Sequence, residues 1–328
     1  MHFFTLNRRG FLGACAGAAA VTVGGSARAA TWPERNVTVV VPYAPGGQGD
    51  VFARLVGDRL ARALGQPVIV DNRPGASGAL GARLVSKAPA DGYTLLLGQT
   101  GEIAINDTAM KNSGYDALKD FRAVALVGNA PLVLAVPANS PFKSVSDLIH
   151  AAREKPGAVA YASSGTATPG HLAAAALASG TKTDMTHIPY KGAGQAITDL
   201  IGGQVQFFFA SASSITPHLQ SGRVKALAVS TPTKLAGQLQ VPPVADTVPG
   251  FNFSLWGGYF APHATPDAVV QRLAMEINRI LAEPELRKRF ETEGSAVTPV
   301  SPERFEQFVR DEITKYARLV KATGTTLE

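Results

Sequence analysis

The stretch VTVVVPYAPGGQGDVFARL, residues 37–55, decides the fold. Its first five residues, Val37–Val41, are all β-branched, which is typical of a strand buried on both faces. A loop rich in glycine and proline, Pro42–Gly49, comes next, and apolar residues then recur at helical spacing up to Leu64, before a stop at Gly65. The free N–H groups at such a helix start, together with the positive end of the helix dipole, favour an anion. An ordinary strand–helix turn that needs glycine for its backbone angles is the alternative interpretation.

The following segments repeat this strand–helix pattern. A strand over Pro67–Val70, a helix over Ala79–Lys87 and a strand over Tyr93–Leu97 predict a parallel sheet flanked by helices. Further strands are predicted at Val124–Val127 and Leu132–Val136. A second alternating series is predicted after them, with strands over 159–162, 186–188, 205–209 and 226–230, a helix capped by Ser146, and helices from about Gly170, Gln195 and Thr216. The C-terminal part is predicted to be helical, with starts at Thr265-Pro266, Pro284 and Ser301-Pro302.

Residues 1–29 have the pattern of an export signal. Arg8-Arg9 forms a twin-arginine pattern, an apolar run follows, and Ala27-Arg28-Ala29 is typical of a cleavage site. We therefore expect a periplasmic protein cut after Ala29. Leu12-Gly13-Ala14-Cys15 superficially resembles a lipoprotein box, but it leaves no apolar region between itself and the arginines. Cys15 is the only cysteine, so the mature chain has no disulfide, thiol nucleophile or thiolate metal site.

Composition argues against several other classes of function. The formal net charge is +6, and removal of Arg8, Arg9 and Arg28 with the signal leaves about +3, without a clustered basic stripe for nucleic acid. The histidines are scattered, with no pair at metal-ligand spacing, so neither a metal nor a cofactor is expected: His150, His171, His187, His218 and His263.

Three more loops resemble Pro42–Gly49 because each combines small polar residues with the start of a predicted helix. They are Ser163–Thr168, Tyr190–Gly194 and Ser211–Ser214. In parallel α/β sheets such loops lie at the carboxyl ends of strands, where ligands bind. The set predicts an anion held between two lobes by hydroxyl and backbone N–H groups. Lys191 could neutralise a ligand charge or simply be solvated.

Two enzyme alternatives remain open. A dinucleotide-dependent oxidoreductase is suggested by Gly47-Gln48-Gly49 and by Asp71 after the second strand, but Phe52 replaces the third glycine of that motif. A hydrolase is suggested by Ser163 or Ser164 near His171, but the chain has no G-x-S-x-G motif there and no evident acid to orient the histidine. A histidine at the head of a helix, as His171 is predicted to be, is more often a capping or wall residue.

Several motifs along the mature chain resemble those of one protein family. They are P-Y-A-P-G-G-Q-G-D from Pro42, L-G-Q-P-V-I-V-D-N-R-P-G-A-S-G from Leu64, P-A-D-G-Y-T-L-L from Pro89, Y-A-S-S-G-T-A-T-P-G-H-L-A from Tyr161, P-Y-K-G-A-G-Q-A-I-T-D-L-I-G-G-Q-V from Pro189 and G-R-V-K-A-L-A-V-S from Gly222. On these residues the chain resembles the substrate-binding receptors of tripartite tricarboxylate transporters, the Bug family of periplasmic solute-binding proteins.

The resemblance implies an α/β type II periplasmic-binding-protein fold, with two lobes joined by two crossovers. Lobe 1 would span 31–131 and 254–328, and lobe 2 would span 132–253. The receptor would bind a small carboxylate, with no cofactor, and deliver it to a membrane permease or a signalling partner; we expect it to be a monomer. Asp50 would cap its helix or orient its loop. The implied ligand-binding residues are Tyr43, Ala44, Gly46, Gly47, Gln48, Asp50, Gln99, Thr100, Ser163, Ser164, Gly165, Thr166, Thr168, His171, Tyr190, Lys191, Gly192 and Ser211.

One segment departs from the family pattern. Relatives commonly read G-Q-V-D-L-M-F-D where this chain reads GQVQFFFA from Gly203 to Ala210. The second acid is therefore absent at Ala210. This favours an amine-free carboxylate over aspartate or glutamate as the ligand.

Overall fold

The computed structural model describes residues 32–232, 240–292, 294–297 and 299–327. The predicted export signal, residues 1–29, lies outside these ranges. Within them, no helix combines the length and apolar character needed to cross a lipid bilayer.

The described chain alternates strands and helices through most of its length. In chain order the elements are β1 (Val37–Val41), α1 (Gln48–Leu64), β2 (Val68–Asn72), α2 (Ala79–Ser86), β3 (Thr94–Gln99), α3 (Asn106–Ala109), α4 (Ala117–Asp120), β4 (Phe121–Pro137), α5 (Val145–Glu154), β5 (Ala160–Ser163), α6 (Pro169–Thr181), β6 (Thr186–Pro189), α7 (Ala193–Ile201), β7 (Phe207–Ser211), α8 (Ala212–Gln220), β8 (Val224–Val229), β9 (Ser254–Pro262), α9 (Asp267–Leu281), α10 (Pro284–Thr292) and α11 (Pro302–Thr323). A π-helical turn, Gly101–Ile105, separates β3 from α3.

The strands form two mixed sheets that share β4, one sheet in each lobe. In the first lobe β1 pairs in parallel with β2 and β3, and β9 runs antiparallel between β3 and β4. In the second lobe β5 pairs in parallel with β6 and β7, while β7 and β8 run antiparallel to β4. The parallel strands β1, β3 and β5 are each followed by a loop that leads to a helix, so their carboxyl ends carry the loops predicted to bind a ligand.

The prediction of two strands at 124–127 and 132–136 was wrong, because β4 is one strand of 17 residues. It pairs with β9 up to Pro131 and with β7 and β8 from Leu132 onward. Register shifts near Ala125 and Gly128 make this strand irregular. A single strand therefore crosses from one lobe to the other.

Strand β9 was not predicted, because Gly257 and Gly258 in its centre disfavour a strand. The structure explains these glycines. A Cβ at Gly258 would lie 2.3 Å from Phe305 Cζ, and one at Gly257 would lie 3.1 Å from Phe52 Cδ2. Their missing side chains let aromatic rings pack directly on the strand.

Several helix starts also differ from the prediction, and three of them have an identifiable cap. Ser144, not Ser146, caps α5, because its side chain and that of Asp147 form a reciprocal capping box. Helix α8 begins directly after Ser211 rather than near Thr216, since Ser211 accepts a hydrogen bond from Ser214 N. Helix α9 begins one residue later than predicted, with Pro266 at its N-cap.

Candidate functional site

A cleft of about 1050 Å³ lies between the two lobes. Its walls come from the loops after β1 and β3 in the first lobe and after β5, β6 and β7 in the second. Helices α1, α6, α7 and α8 begin at or beside these loops, so several free backbone N–H groups lie near the cleft.

Asp50 fixes the loop after β1. Its Oδ2 accepts a hydrogen bond of 3.0 Å from Gly46 N, and its Oδ1 lies 2.9 Å from Arg54 Nη2. Burial opposes ionisation, but hydrogen bonds from Arg54 and Gly46 hold the pKa of Asp50 below its usual value. Asn72 also holds this loop, because its Nδ2 donates a hydrogen bond of 3.0 Å to the Tyr43 carbonyl. Asp50 therefore orients the loop and does not line the cleft.

The end of β3 forms the floor of the cleft in the first lobe. A Cβ at Gly49 would lie only 2.6 Å from Gln99 Nε2, so the Gln99 side chain packs against the first turn of α1. Thr100 is buried, and its hydroxyl oxygen accepts a hydrogen bond of 3.0 Å from Trp256 N on β9. Gln99 and Thr100 are thus held by their neighbours on either side.

A buried carboxyl group lies directly beneath this floor. The Tyr43 hydroxyl donates to Glu102 Oε2 over 2.8 Å, and Gln99 N donates to Glu102 Oε1 over 2.5 Å. Burial raises the pKa of Glu102 to about 8. The Tyr43 hydroxyl proton is therefore engaged by Glu102. Glu102 was not among the predicted site residues, because no motif in the sequence marks it.

Internal hydrogen bonds hold the loop after β5 in shape. Ser163 Oγ lies 2.9 Å from the Gly165 carbonyl and 2.7 Å from His187 Nε2, and Thr168 Oγ1 donates to the same carbonyl over 2.8 Å. Thr168 also caps α6 by accepting from His171 N. The loop is therefore set before any ligand arrives.

Two stacked histidines support that loop from behind. His171 Nδ1 accepts a hydrogen bond of 3.0 Å from Ala167 N, and the His171 and His187 rings stack on each other. Burial lowers the pKa of both rings to about 4, with His187 adding to the effect on His171. Both rings are therefore neutral at pH 7. The hydroxyl of Ser163 contacts His187 rather than His171, and Ser163 is fully buried, so the structure does not present this serine to the cleft as a nucleophile.

The remaining second-lobe residues complete the opposite wall. The Tyr190 hydroxyl donates to Asp199 Oδ2 over 2.8 Å, which fixes the ring beside Lys191 and Gly192. Ser211 caps α8, and its hydroxyl donates to Ser214 Oγ over 2.7 Å. Lys191 is the one charged side chain among the described residues that line the cleft.

The structure brings most of the predicted binding residues together. Those that line the cleft are Tyr43, Ala44, Gly46, Gly47, Gln48, Gln99, Thr100, Ser164, Gly165, Thr166, Thr168, Tyr190, Lys191, Gly192 and Ser211. Asp50, Ser163 and His171 do not line it and instead support the loops that do.

Several lining residues were not predicted. The polar ones are Ser77, Asn106, Ser213, Ser214 and Ser295, and the large apolar ones are Val51, Phe52, Leu132, Phe209, Leu255 and Leu327. Ser77 lies in the family motif L-G-Q-P-V-I-V-D-N-R-P-G-A-S-G, and Ser213 and Ser214 lie in a loop already singled out, so those signals were present. Nothing local in the sequence marks Leu255, Ser295 or Leu327.

The interpretation of Ala210 as an acid lost from the ligand site was wrong. Ala210 is fully buried and packs in the second-lobe core with Ala162 and Leu200, away from the cleft. An acid at this position would not reach a ligand here. The preference for an amine-free ligand is supported instead by the cleft lining, whose described residues include no aspartate or glutamate.

Within the described ranges, no three His, Cys, Asp or Glu residues lie close enough together to hold a metal ion.

Comparison with known proteins identifies the family. A family model described as tripartite tricarboxylate transporter family receptor matches residues 52–325. An R. palustris protein solved with adipate is 33% identical and superposes with a TM-score of 0.81, over 90% of this chain and 99% of that one. MatC from Rhodopseudomonas palustris, solved with malate, is 31% identical with a TM-score of 0.77, over 88% and 100% of the two chains. The periplasmic binding protein BugD is 30% identical with a TM-score of 0.77, over 90% and 100%. These neighbours confirm the predicted two-lobed fold, and the chain belongs to the tripartite tricarboxylate transporter receptor family.

Proposed function

We propose that this protein is an exported receptor that captures a small organic acid in the cleft and releases it unchanged. The observation that carries the proposal is the chemistry of the cleft wall, where helix starts and hydroxyl groups surround a space whose lining includes Lys191 and no acid. Such a wall stabilises a carboxylate through charge-assisted hydrogen bonds. An ammonium group would lack an anionic partner there.

The relatives support this class of ligand. The R. palustris neighbour was solved with adipate and MatC with malate, and both are carboxylates. In this chain the loops Gly46–Gly49 of the first lobe and Ser164–Thr168 of the second both line the cleft, and we propose that they bind one carboxylate together. We propose that the predicted lining residues bind the ligand directly, and that Asp50, Ser163 and His171 act by holding those loops.

The apolar part of the lining favours a ligand with a hydrocarbon body. Phe52 and Leu255 contribute apolar surface from the first lobe, while Leu132 and Phe209 contribute it from the second. A ligand with three carboxylates would bring two more negative charges than Lys191 balances, whereas a dicarboxylate would bring only one more. We therefore place the ligand among aliphatic or aromatic mono- and dicarboxylates.

Binding would proceed by closure of the lobes on the ligand. We propose lobe 1 at 31–131 plus 254–328 and lobe 2 at 132–253. The change of pairing partner within β4 supports this boundary, since Pro131 pairs with Ser254 and Leu132 with Ser211. Ser230 lies where the two crossovers meet, because its hydroxyl accepts from Leu132 N and donates to the Phe253 carbonyl.

The receptor would act as a monomer without a cofactor and would pass its ligand to a membrane permease or a signalling partner. Its signal would be of the twin-arginine type, cut after Ala29. The alternative, an oxidoreductase or hydrolase on this fold, would need reactive groups in the cleft. Ser163 and the two histidines, the nearest candidates, lie behind the wall.

A thermal-shift screen of residues 30–328 tests the proposal. The panel contains adipate, malate, citrate, benzoate, aspartate and glutamate. A ligand at about 100 times its dissociation constant adds roughly 2.7 kcal/mol to the free energy of unfolding, which raises Tm by a few degrees. We expect a shift with a mono- or dicarboxylate and recovery of the acid unchanged. Conversion of the acid to a product, or the absence of a Tm shift with every acid of the panel, would contradict the proposal.

A further inference from the structure

Glu102 is a buried carboxyl group that the proposed binding of an anion leaves unused. Its side chain is 0% exposed, and it lies behind the cleft residues Tyr43, Ser77 and Gly101. A Cβ at Gly101 would lie 2.7 Å from the Tyr43 hydroxyl oxygen, so this hydroxyl contacts both the cleft residue Gly101 and the Glu102 carboxyl group.

The groups around Glu102 supply hydrogen bonds but no positive charge. Tyr43 and Gln99 N each donate to one carboxyl oxygen, and the Tyr115 hydroxyl donates to the Glu102 backbone carbonyl over 2.5 Å. From the turn before α2, a Cβ at Gly78 would lie 3.1 Å from Oε2. No ion pair to Glu102 occurs among the described residues.

The other ionisable groups on the neighbouring elements do not compensate its charge. Asp107 on α3 accepts from Ala117 N and Ser113 Oγ, and Arg83 on α2 interacts with Tyr115 rather than with Glu102. A carboxylate that is buried without a cation is destabilised and takes up a proton more readily than an exposed one, which agrees with the raised pKa of Glu102.

The hydrogen bonds can accommodate either state of the carboxyl group. When Glu102 is ionised, the Tyr43 hydroxyl donates to Oε2 over 2.8 Å. When Glu102 binds a proton from solvent, its O–H can donate to the Tyr43 oxygen, and the Tyr43 hydroxyl can turn to the Ser77 carbonyl, 3.3 Å away. Asn106 Nδ2 also donates to that carbonyl over 3.0 Å, which keeps it in place. Both Tyr43 and Ser77 line the cleft, so the state of Glu102 is linked to the cleft surface.

We propose that Glu102 is a positioning residue that couples anion binding in the cleft to uptake of a proton. An anion in the cleft favours the neutral carboxylic acid, and the ionised carboxylate beneath the floor opposes the anion. This inference rests on the proposed function, since it requires an anionic ligand. The coupling makes the affinity for the anion fall as the pH rises from about 7 to 9. A carboxylic acid ligand is already fully ionised over this range, so its own ionisation does not cause the fall.

The proton can be observed without any ligand. Carboxyl-¹³C NMR of the glutamate-labelled protein, residues 30–328, assigns Glu102 as the signal that disappears in Glu102→Gln. We expect its titration midpoint above pH 7, and Tyr43→Phe should move the midpoint higher because a donor to the carboxylate is lost. A midpoint below pH 5.5 would overturn the proposal.

The coupling is tested by calorimetric titration with adipate or malate at pH 7 and pH 9, in buffers of different ionisation enthalpy. In the wild type we expect proton uptake on binding near pH 8 and an affinity roughly tenfold lower at pH 9 than at pH 7. Glu102→Gln should bind without proton uptake and with a flat pH profile.

Glu312→Gln is the matched control. Glu312 on α11 is also buried, but it pairs with Lys315 and accepts a hydrogen bond from Trp256 Nε1. It should retain the wild-type pH profile. Equal pH profiles in the wild type and Glu102→Gln would overturn the coupling. Failure of every carboxylate to bind would instead contradict the proposed function, and the NMR midpoint would still decide whether Glu102 holds a proton near neutral pH.

Discussion

The imidazole rings of His171 and His187 stack with their centroids 3.8 Å apart and their planes 14° from parallel. The Tyr161 ring lies beside this pair, with its centroid 5.1 Å from that of His187 and 6.3 Å from that of His171. Through Ala167 N and Ser163 Oγ the two rings hold both ends of the loop that forms the second-lobe wall of the cleft. Two adjacent positive charges could not be accommodated in this stack, so the loop depends on neutral histidines.

Acid should therefore destabilise the protein through this pair. The folded pKa of each ring, about 4, lies below the ordinary 6.5, so the folded state binds fewer protons than the unfolded chain between these values. The stability that the two neutral rings contribute to the folded state is fully present above about pH 6.5 and is lost as the pH falls toward 4. We expect His187→Phe, which keeps a ring in the stack, to reduce the loss of unfolding free energy between pH 7.5 and 4.5 by roughly 2 kcal/mol. Urea unfolding at both pH values measures this.

His150→Gln is the control for that experiment, because His150 is exposed and pairs with Glu154 on α5. It should retain the wild-type pH dependence. Parallel stability curves for His187→Phe and the wild type would refute the assignment.

Ser230 should be important for stability although it does not line the cleft itself. Its hydroxyl accepts from Leu132 N over 2.8 Å and donates to the Phe253 carbonyl over 2.5 Å, at a fully buried position. Ser230→Ala removes the partner of both backbone groups and should lower the free energy of unfolding by about 2–3 kcal/mol. Ser221→Ala, at an exposed serine, should change it by less than about 0.5 kcal/mol. Equal effects in urea unfolding would show that the crossover does not depend on this contact.

Two glycines of α6 should respond in opposite directions to alanine. A Cβ at Gly170 would lie 2.5 Å from the Phe209 carbonyl oxygen, which is backbone and cannot move aside cheaply. Gly170→Ala should therefore cost roughly 2–3 kcal/mol of unfolding free energy. A Cβ at Gly180 meets only Val248 at 3.6 Å, so Gly180→Ala should stabilise the protein by up to about 1 kcal/mol. Thermal unfolding that ranks the two variants in the reverse order would contradict the observed contact between α6 and β7.

Gly49 should affect binding more than stability. Its added Cβ would meet the end of the flexible Gln99 side chain, which can turn away at little cost but would then enter the cleft. We expect Gly49→Ala to fold normally and to bind its acid about tenfold more weakly, a change of about 1.4 kcal/mol. Gly194→Ala, in open space on α7, is the control and should keep the wild-type affinity. Calorimetry with the strongest acid from the screen distinguishes them, and equal affinities would argue against a contact by Gln99.

Lys191 should contribute a small, salt-sensitive share of the affinity because it is exposed at the cleft wall. Lys191→Gln should weaken binding by about two- to fivefold at low salt, and the difference should shrink at high salt. Lys288→Gln, at an exposed lysine of α10, should have no effect on affinity. A loss that does not depend on salt would indicate that Lys191 acts through the loop's shape rather than its charge.

Local sequence signals predicted the parts of this fold that are locally determined. The β-branched run at Val37–Val41 and the helical spacing up to Leu64 placed β1 and α1 correctly, because burial on both faces and an amphipathic face each leave a period in the sequence. Strand β9 and the continuity of β4 escaped prediction. Both depend on partners distant in the chain, such as the Phe305 ring that needs Gly258.

In the candidate site, too, the locally determined parts were predicted and the parts that depend on distant residues were not. Loops at strand ends were predicted because glycine and serine before a helix carry a clear signal, whereas Leu255 and Leu327 reach the cleft only through the tertiary arrangement. The family motif placed His171 at the ligand, whereas in the structure His171 lies behind the cleft wall, where its Nδ1 accepts a hydrogen bond from Ala167 N. Ala210 shows the reverse error, since a departure from the family pattern was interpreted as a change in the site although the residue lies in the core.

The central claim is that the cleft selects a carboxylate, and the most direct test is one calorimetric comparison. The acid that gives the largest thermal shift is titrated into residues 30–328 beside its amide and its α-amino derivative. We predict one binding event per chain for the acid, with the amide and the amino derivative each at least about tenfold weaker, a difference of about 1.4 kcal/mol or more. If the uncharged amide binds as tightly as the acid, the cleft does not recognise a carboxylate and the proposed function is wrong.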